Sequence, residues 1–362
     1  MNADKLHITD AFQTALEFVQ YTDRMVFVTG KAGTGKTTFL KHLKEHSLKS
    51  MAVVAPTGVA AINAGGVTIH SLLQLPLKNY LEHATEEMEH AGIISKKRLL
   101  AEHQMKRDKR KRIQHLELLV IDEVSMVRAD MLDMIDAVLR HIRSAHTVPF
   151  GGVQLLLIGD LYQLPPVIKE REWMYLSEHY ATPFFFSAKV LQQAVPVHIS
   201  FEKVFRQSDS EFIDILNGVR NNRLTHEQLE LLHQRYRPNA DALNEDGYIT
   251  LTTNNNKAHA INDKCLQRLN NESKIYTAMI KGDFPPNNYP AEELLELKVG
   301  AQVMFLKNDV GESRQYFNGK IGKVAALYQD EVEVKCDDDP SSIFVERYEW
   351  KNIRYVTNIS NQ

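Results

Sequence analysis

The sequence contains very little cysteine, which limits the kinds of site that it can build. Only two of its 362 residues are cysteine, Cys265 and Cys336. Two are too few for a disulfide framework or for a zinc site made of cysteines. We therefore expect a reducing compartment, the cytoplasm, with association with the nucleoid if the source is bacterial.

Long apolar runs and an excess of either charge are also missing. No apolar segment is long enough to cross a bilayer, and the first residues contain no apolar core of a secretory signal, so we expect no membrane partner. The formal net charge is only −3. Binding of nucleic acid would therefore depend on a local surface and not on the charge of the whole molecule. The length predicts two or three domains, and we find no internal repeat or low-complexity linker.

The most informative segment that is present is rich in glycine. Residues 30–37 read Gly-Lys-Ala-Gly-Thr-Gly-Lys-Thr and fill the P-loop pattern, whose backbone N–H groups surround the phosphates of a nucleoside triphosphate. An apolar run over 25–29 predicts a buried strand before the loop, and 37–46 predicts a helix after it, which is the order that phosphate binding requires. ATP and Mg²⁺ are the predicted ligands; a glycine-rich turn without a ligand is the alternative.

Two side chains of this loop have predicted roles in the chemistry. Lys36 is expected to reach the β- and γ-phosphates, and the Thr37 hydroxyl is expected to ligate Mg²⁺. The residues expected to contact the nucleotide are Gly30, Ala32, Gly33, Thr34, Gly35, Lys36, Thr37 and Thr38.

Two further apolar runs end in side chains that can complete such a site. Asp122 and Glu123 follow the run 118–121. Asp122 is expected on the metal, and Glu123 is expected to orient or deprotonate the attacking water. Gln163 lies just past the run 155–158, where ligands of parallel sheets collect, and can bond the γ-phosphate or its water. For the two acids the alternative is that they only cap a strand.

An amphipathic helix is predicted before the first strand. Its apolar residues recur at helical spacing, and they are Phe12, Ala15, Leu16 and Val19. Gln13 falls on the polar face, where it either reads the adenine edge or is merely solvated.

Segments with small residues indicate a second ligand, a nucleic acid. Pro56, Thr57 and Gly58 follow a strand predicted over 51–55, and His70 comes shortly after a Gly-Gly pair. Small residues at a strand end admit another backbone closely, while Thr57 and His70 offer hydrogen bonds to phosphate or stacking on a base.

A basic run adds to this indication. Between residues 96 and 112 there are nine Lys or Arg against only Glu102 and Asp108. Such a run can follow a phosphodiester backbone, although basic runs are usually solvated helix faces.

Taken in chain order, these segments resemble the motifs of the PIF-type (petite integration frequency) DNA helicases, in the RecD-like branch of helicase superfamily one. The segments that carry the resemblance are the P-loop, 55–58 (Ala-Pro-Thr-Gly), 68–71 (Thr-Ile-His-Ser), 122–126 (Asp-Glu-Val-Ser-Met), 159–166 (Gly-Asp-Leu-Tyr-Gln-Leu-Pro-Pro) and 204–207 (Val-Phe-Arg-Gln). The stretch 122–142 is similar to the signature segment peculiar to PIF-type members. The resemblance implies an ATP-dependent 5′-to-3′ motor on single-stranded DNA. We also expect duplex or structured DNA as a partner, and we expect a monomer, since nothing in the sequence demands more.

The resemblance also implies roles for individual residues. Gln13 matches the adenine-reading glutamine, and Arg206 matches the first arginine of the second lobe, which reaches the γ-phosphate. A surface arginine after a strand is the alternative for Arg206. Thr253 and Asn254, after a strand predicted over 248–252, match a segment that lies near bound DNA.

The fold class predicted in this way is α/β, a P-loop NTPase with two RecA-like lobes and ATP in the cleft between them. We expect the first lobe at 1–196, with a basic insertion around 78–115, and the start of the second at 197–296. Short predicted strands parted by turn residues indicate a small β-barrel at 297–362, which resembles the SH3-like insertion of the family.

In one respect the sequence departs from the pattern. PIF-type proteins continue after the barrel with a His-Lys-Ser-Gln-Gly motif and then an Ala-Leu-Ser-Arg motif, and neither occurs here. We therefore expect a truncated chain that binds ATP and hydrolyses it weakly.

Three functions compete at this point. The first is a helicase motor in DNA replication, repair or recombination, and the second is a nucleotide-switched module that binds single-stranded DNA without motor activity. The third is a P-loop ATPase with a protein partner, and Gln163 and Arg206 argue against it, since other P-loop classes have no reason to carry both.

Overall fold

The structure, a computed structural model, describes residues 8–205, 209–236, 249–282, 289, 291–307, 309, 315–316, 319–337, 339 and 341–350. The chain divides into two units, Met1–Leu232 and His233–Gln362. Arg206, which the sequence places in the nucleotide site, lies outside the described residues.

The first unit is built on a parallel sheet. Its strands are β1 (Val26–Gly30), β2 (Met51–Ala55), β3 (Val67–Thr68), β4 (Asn79–Leu81), β5 (Ile93–Ser95), β6 (Leu118–Ile121), β7 (Gln154–Gly159) and β8 (Val197–Phe201). Six of them form one sheet in the order β3-β2-β6-β7-β1-β8, and β4 pairs separately with β5. Every pair in the large sheet is parallel. The α/β class and the predicted strands at 25–29, 51–55, 118–121 and 155–158 are confirmed.

The central strands are apolar throughout because the sheet is covered on both faces. In β6, Leu119 and Ile121 join one buried cluster, while Leu118 and Val120 join the other. Successive side chains of a strand point to opposite faces, so an uninterrupted apolar run is what two covered faces require.

Helices cover both faces. Those of the first unit are α1 (Asp10–Tyr21), α2 (Lys36–His46), α3 (Gly58–Asn63), α4 (Ile69–Leu73), α5 (Glu86–His90), α6 (Lys96–Glu102), α7 (Arg107–Gln114), α8 (Ala129–Arg143), α9 (Glu170–Leu176), α10 (Ser210–Arg220) and α11 (His226–His233). The predicted stripe of α1 is buried and packs with α2 on one face, whereas α8 packs on the other. In the described part of the chain, we see no helix with the length and apolar character needed to cross a membrane.

The long helix α8 carries a carboxylate that accepts hydrogen bonds from a segment distant in sequence. Asp133 is buried and accepts hydrogen bonds from the Lys189 and Val190 N–H groups at 3.0 and 2.9 Å and from the Tyr180 hydroxyl at 2.9 Å. Burial raises the pKa of the Asp133 carboxyl, and these donors oppose the increase. The helix therefore fixes the segment that leads into β8.

The neighbouring turns of α8 repeat this arrangement. Asp130 is 1% exposed, accepts two bonds from the Arg128 guanidinium at 2.8 and 2.7 Å, and accepts a third from the Tyr80 N–H at 3.0 Å. One turn after Asp133, Asp136 accepts a hydrogen bond from the Phe150 N–H at 2.6 Å. Three aspartates at a spacing of three residues thus tie three different segments to one helix. This gives the signature-like stretch 122–142 a structural role.

The last strand of the sheet belongs to a segment that the sequence analysis assigns to the second lobe. Residues 197–201 form β8 and pair with β1 from Val26↔Val197 to Gly30↔Phe201. By its pairing, β8 is an edge strand of the first sheet. The division of the chain by contacts also comes later, after Leu232.

The second unit contains α12 (Asn255–Gln267), β9 (Ser273–Thr277), β10 (Leu294–Lys298), β11 (Gln302–Met304), β12 (Ile321–Leu327), β13 (Glu331–Lys335) and β14 (Ile343–Glu346). Strands β9 and β10 form an antiparallel pair, and β11 to β14 form a four-stranded antiparallel sheet in chain order. Phe305, Val334, Cys336 and Ile343 are its small core. Closure into an SH3-like barrel stays a prediction. The predicted strand at 248–252 is wrong over its described residues, because 249–252 have no ladder partner.

Candidate nucleotide and nucleic-acid site

The candidate site residues of the first unit follow neighbouring parallel strands, so they share the carboxyl edge of one sheet. The P-loop follows β1, Gln163 follows β7, and Asp122 and Glu123 follow β6. The candidate contacts for nucleic acid follow β2 and β3, next to β6 in the same order. This edge of a parallel sheet is where ligands bind. The candidate nucleotide residues (the nucleotide half) therefore lie beside the candidate nucleic-acid residues (the nucleic-acid half) on it.

Glycines shape the P-loop where other residues would not fit. Gly33 and Gly35 have φ of 78° and 89°, a region that residues with a Cβ rarely occupy. At Gly30 a Cβ would lie 2.5 Å from the Phe201 carbonyl oxygen and 2.6 Å from Thr34 Oγ1. The loop is therefore free of side chains where it turns, as a phosphate cradle requires.

Lys36 is the first residue of α2 and closes the loop. Its Nζ donates to the carbonyl oxygens of Gly30 at 2.6 Å and Lys31 at 3.0 Å. Burial lowers the pKa of Lys36, an effect that the nearby Asp160 and Glu123 carboxylates oppose. A phosphate chain would offer this ammonium a stronger partner than two carbonyls.

The residues predicted to hold Mg²⁺ fit that ion. Thr37 lies in the first turn of α2 and is exposed, and Asp122 directly follows β6. A hydroxyl and a carboxylate are both hard oxygen ligands. Burial raises the pKa of the Asp122 carboxyl to about 6, and Glu123 adds to the increase. Among the described residues no three His, Cys, Asp or Glu side chains form a metal cage. An ion held by one carboxylate, one hydroxyl and nucleotide phosphates matches the ordinary coordination of magnesium.

The backbone at Glu123 is unusual. Its φ of 51° and ψ of 43° lie in the left-handed region, which costs a non-glycine residue on the order of 1–3 kcal/mol and is characteristic of functional sites. The turn that follows approaches β7 closely, since a Cβ on Gly159 would lie 3.0 Å from Val124 Cγ1 and 3.2 Å from the Ser125 nitrogen. The bend redirects the chain directly after Asp122, at the position where a base for water is predicted.

Gln163 belongs to a network that the sequence analysis missed. Its Nε2 donates to Asp160 Oδ2 at 3.3 Å. The same oxygen accepts a bond from Arg220 Nη1 at 2.6 Å, although 57 residues of chain separate Gln163 from Arg220. The only feature of the sequence that could have indicated this network is Asp160, which precedes Gln163 in the same motif.

The resemblance assigns two further residues to the nucleotide, Gln13 and Arg206. Gln13 is exposed on α1, and its Nε2 donates to Glu17 Oε1 at 2.9 Å. Arg206 is not described, but its neighbour Phe205 donates its N–H to the Gly33 carbonyl oxygen at 2.8 Å. The segment after β8 therefore reaches the P-loop directly before Arg206.

The candidate nucleic-acid contacts of the first unit are half-buried or exposed. Pro56, Thr57 and Gly58 follow β2, and the Thr57 hydroxyl caps α3 by accepting the Ala60 N–H at 3.2 Å. His70 lies on α4, and burial lowers its pKa, with Arg128 contributing. His70 is thus neutral near pH 7, which suits a ring that stacks or forms a hydrogen bond and does not suit a permanent cation.

Part of the basic run is engaged in the first unit. Lys96 pairs with Glu82 at 2.6 Å, and Lys109 Nζ donates to the Ser71 carbonyl oxygen at 2.6 Å. The exposed members of the run are Lys97, Arg98, Lys106, Arg107, Lys111 and Arg112. The run therefore both braces α4 and presents cations to solvent.

Thr253 and Asn254 lie in the second unit, and both are exposed. Asn254 is the N-cap of α12, where its Oδ1 accepts the Asn256 and Lys257 N–H groups at 2.9 and 3.4 Å. This contact gives Asn254 a structural role whether or not it touches DNA.

Comparison with known proteins gives concordant matches. The family model described as PIF1-like helicase matches residues 7–230. The ATP-dependent DNA helicase PIF1 of Saccharomyces cerevisiae (strain YJM789) is 33% identical over 322 residues, which cover 84% of this chain and 34% of that protein. The chain spans less than half the length of the curated relatives it matches.

Two similar solved structures come from Bacteroides. The crystal structure of Pif1 in complex with ADP-AlF4 is 39% identical with a TM-score of 0.76, over 96% of this chain and 76% of that chain. The crystal structure of Pif1 bound to ssDNA is 39% identical with a TM-score of 0.74, over 98% and 78% respectively.

Proposed function

The chain belongs to the family of PIF1-like helicases, and from this we propose that it is the ATP-dependent motor of a DNA helicase, which moves 5′ to 3′ along single-stranded DNA. The observation that carries the proposal is the shared sheet edge. The strands that present the P-loop, Asp122, Glu123 and Gln163 lie directly beside the strands that present Thr57 and His70. Within this order β6, which presents Asp122 and Glu123, is the immediate neighbour of β2, which presents Thr57. A change at these two carboxylates is therefore one strand away from the proposed DNA contacts.

The nucleotide half supplies the groups that phosphoryl transfer to water requires. Lys36 would leave the carbonyls of the loop for the β- and γ-phosphates, while Thr37 and Asp122 would hold Mg²⁺, which neutralises the developing charge. Glu123 would take the proton of the attacking water, and Gln163 would orient that water. Gln13 would read the adenine. Arg206 would stabilise the transition state, a contribution that is typically on the order of a thousandfold.

The nucleic-acid half would bind the backbone and stack bases. Thr57 and the N–H groups around Gly58 suit phosphate contacts, and the neutral ring of His70 suits stacking. In the second unit, Thr253 and Asn254 are candidate DNA contacts on the basis of the resemblance alone. We also propose that duplex or structured DNA is a substrate and that the protein functions as a monomer. The low cysteine content supports a cytoplasmic location.

The alternative is a module that binds single-stranded DNA under nucleotide control but does not move along it or unwind duplexes. It shares every binding residue with the motor and differs only in the coupling of hydrolysis to DNA. The test is therefore hydrolysis and not binding.

The deciding experiment measures ATP hydrolysis by this chain with and without a single-stranded oligonucleotide. A Lys36→Ala variant should lose at least about a hundredfold in rate, since it removes a donor to the transferring phosphate. Lys41→Ala is the matched control, because Lys41 is an exposed lysine on the same helix. Stimulation by DNA that Lys36→Ala abolishes and Lys41→Ala preserves supports the motor. DNA binding with a turnover that DNA leaves unchanged would refute the motor and favour the module.

A further inference from the structure

Asp160 is a buried carboxylate that the proposed chemistry does not use. It follows β7 and is 1% exposed. Its Oδ1 accepts the Tyr162 N–H at 3.1 Å, and its Oδ2 accepts both Gln163 Nε2 at 3.3 Å and Arg220 Nη1 at 2.6 Å. A charge at this depth requires a partner, and the guanidinium supplies it.

Arg220 reaches this carboxylate from a distant element. It is the last residue of α10, and its side chain is only 18% exposed. The guanidinium carbon lies 4.2 Å from the centre of the Tyr162 ring, a distance typical of a cation–π contact. Two separate interactions, an ion pair and a ring contact, thus join the end of α10 to the turn that carries Gln163.

The network also lies within electrostatic range of the P-loop. The Asp160 carboxylate opposes, and Arg220 reinforces, the lowering of the Lys36 pKa that burial causes. Burial by itself would raise the pKa of Asp160, but Arg220, the Tyr162 N–H and Lys36 together hold it below its ordinary value. Asp160 is therefore a carboxylate shared by the cations of α2 and α10.

We propose that Arg220 is a positioning residue of the nucleotide site, which acts through Asp160 to hold Gln163 in place and to link α10 to the state of the nucleotide. This inference rests on the proposed function, because Gln163 is given its role at the γ-phosphate there. Without the guanidinium, Asp160 Oδ2 would retain only the Gln163 amide as a hydrogen-bond donor in this network. The amide would then be held by the carboxylate and withdrawn from the nucleotide.

The first test separates binding from turnover. Arg220→Gln should lower the kcat of ATP hydrolysis roughly tenfold to a hundredfold, less than the loss of a direct transition-state donor, with KM for ATP within about threefold. Arg223→Gln is the matched control, since Arg223 is exposed in the turn after α10. An Arg220→Gln kcat within twofold of the unsubstituted chain would overturn the proposal.

The second test addresses a purely structural role. Asp160→Asn combined with Arg220→Gln removes both charges, so the stability lost with the single substitution should return. A double variant that regains its Tm but keeps the low kcat supports the proposal. A double variant that regains both would mean that the pair serves the fold alone.

The third test does not depend on hydrolysis. Hydrogen exchange of the α10 amides is measured with and without Mg²⁺ and the non-hydrolysable analogue AMPPNP. In the unsubstituted chain the analogue should change their exchange, and in Arg220→Gln that change should vanish although the analogue still binds. Absence of DNA-stimulated turnover would count against the motor, whereas an α10 response that persists in Arg220→Gln would count against this inference.

Discussion

At the scale of single residues, the candidate site contains two ionisable groups whose charged forms are destabilised by burial. Burial opposes ionisation of Asp122 and protonation of Lys36. The Lys36 ammonium is left with two carbonyl oxygens as hydrogen-bond partners. Binding of Mg²⁺ and phosphate, as proposed, would remove both penalties, and their removal would contribute to the free energy of binding.

Asp122→Asn should therefore stabilise the ligand-free protein at neutral pH while it abolishes turnover that depends on Mg²⁺. The Asp122 pKa is about 6 in the folded state, against about 3.9 in an unfolded chain, which corresponds to on the order of 1–3 kcal/mol at a partly buried site. Because the folded pKa is the higher one, the penalty is absent below about pH 4 and complete above about pH 6. Thermal unfolding at several pH values measures it.

The expected difference in Tm between Asp122→Asn and the unsubstituted chain opens between pH 4 and pH 6 and stays constant above. Saturating Mg²⁺ with nucleotide should reverse its sign, since only the carboxylate binds the ion. A difference that is independent of pH would contradict the assignment of the penalty to this carboxyl.

Local motifs made some of these residues predictable. Lys36, Asp122, Glu123 and Gln163 all lie within a few residues of an apolar strand, and the positions of strand and residue together predicted the shared edge. Arg220 has no such signal, because a basic residue in the last turn of an amphipathic helix is ordinary. Its partner Asp160 is far away in sequence, and only the fold brings the two together.

At the scale of elements, α8 organises the first unit. Its aspartates accept hydrogen bonds from N–H groups of three segments outside the six-stranded sheet, at Tyr80 in β4, Phe150 and Lys189. The carboxylates thereby satisfy backbone donors that would otherwise be buried without an acceptor.

Asp133→Ala should destabilise the first unit by about 3 kcal/mol, because it leaves the N–H groups of Lys189 and Val190 and the Tyr180 hydroxyl without their acceptor. Urea unfolding followed by Trp173 fluorescence, in a Trp350→Phe background, measures the effect. Asp214→Ala serves as the control, since Asp214 is exposed on α10. Equal midpoints for the two variants would refute the structural role of Asp133.

The sequence predicted the central strands of the first sheet, but it did not predict that residues 197–201 pair with β1 at the edge of that sheet. Runs such as 118–121 are apolar in every residue, which only a strand covered on both faces requires. The strand β8 has the mixed burial of an edge strand, so nothing in its composition shows whether it closes one sheet or opens another.

At the scale of the whole molecule, a net charge of −3 makes any attraction to DNA a property of particular surfaces. The exposed cations of the basic run are a candidate for such a surface, although Arg98 among them pairs with Glu89 at 3.2 Å and with Glu102 at 2.6 Å. Lys96 and Lys109 are engaged within the first unit. The sequence could not distinguish Lys96 and Lys109 from the exposed cations, because the partners of these two lysines, Glu82 and the Ser71 carbonyl, lie outside the run.

Lys106→Ala combined with Lys111→Ala should reduce the salt dependence of single-stranded DNA binding. Each lost phosphate contact lowers the magnitude of the negative slope of log K against log salt by about 0.7, so two lost contacts lower it by about 1.4. Fluorescence anisotropy at several salt concentrations measures the slope. Lys41→Ala combined with Lys335→Ala removes two other exposed lysines, and an equal slope for the two double variants would leave the basic run as a solvated face.

The family itself was predicted from short motifs and is confirmed by the match over residues 7–230. Those motifs are contiguous in sequence and demand particular residue types, which is why they are visible without a structure. The boundaries of the domains and the position of Arg206 depend on contacts across the chain and stay predictions.

The order of the sheet also has a consequence for how the protein is made. The strand that carries the P-loop, β1, lies between β7 and β8, and its partner Val197 comes roughly 170 residues after Val26. At about 5–20 residues per second, synthesis of that interval takes roughly ten to thirty-five seconds. Throughout that time β1, with three consecutive apolar residues from Val26 to Val28, lacks its β8 partner on the nascent chain, and its unpaired edge can pair with a wrong strand. The nucleotide cradle is thus among the last parts of the first unit to be completed, although its residues are among the first to be translated.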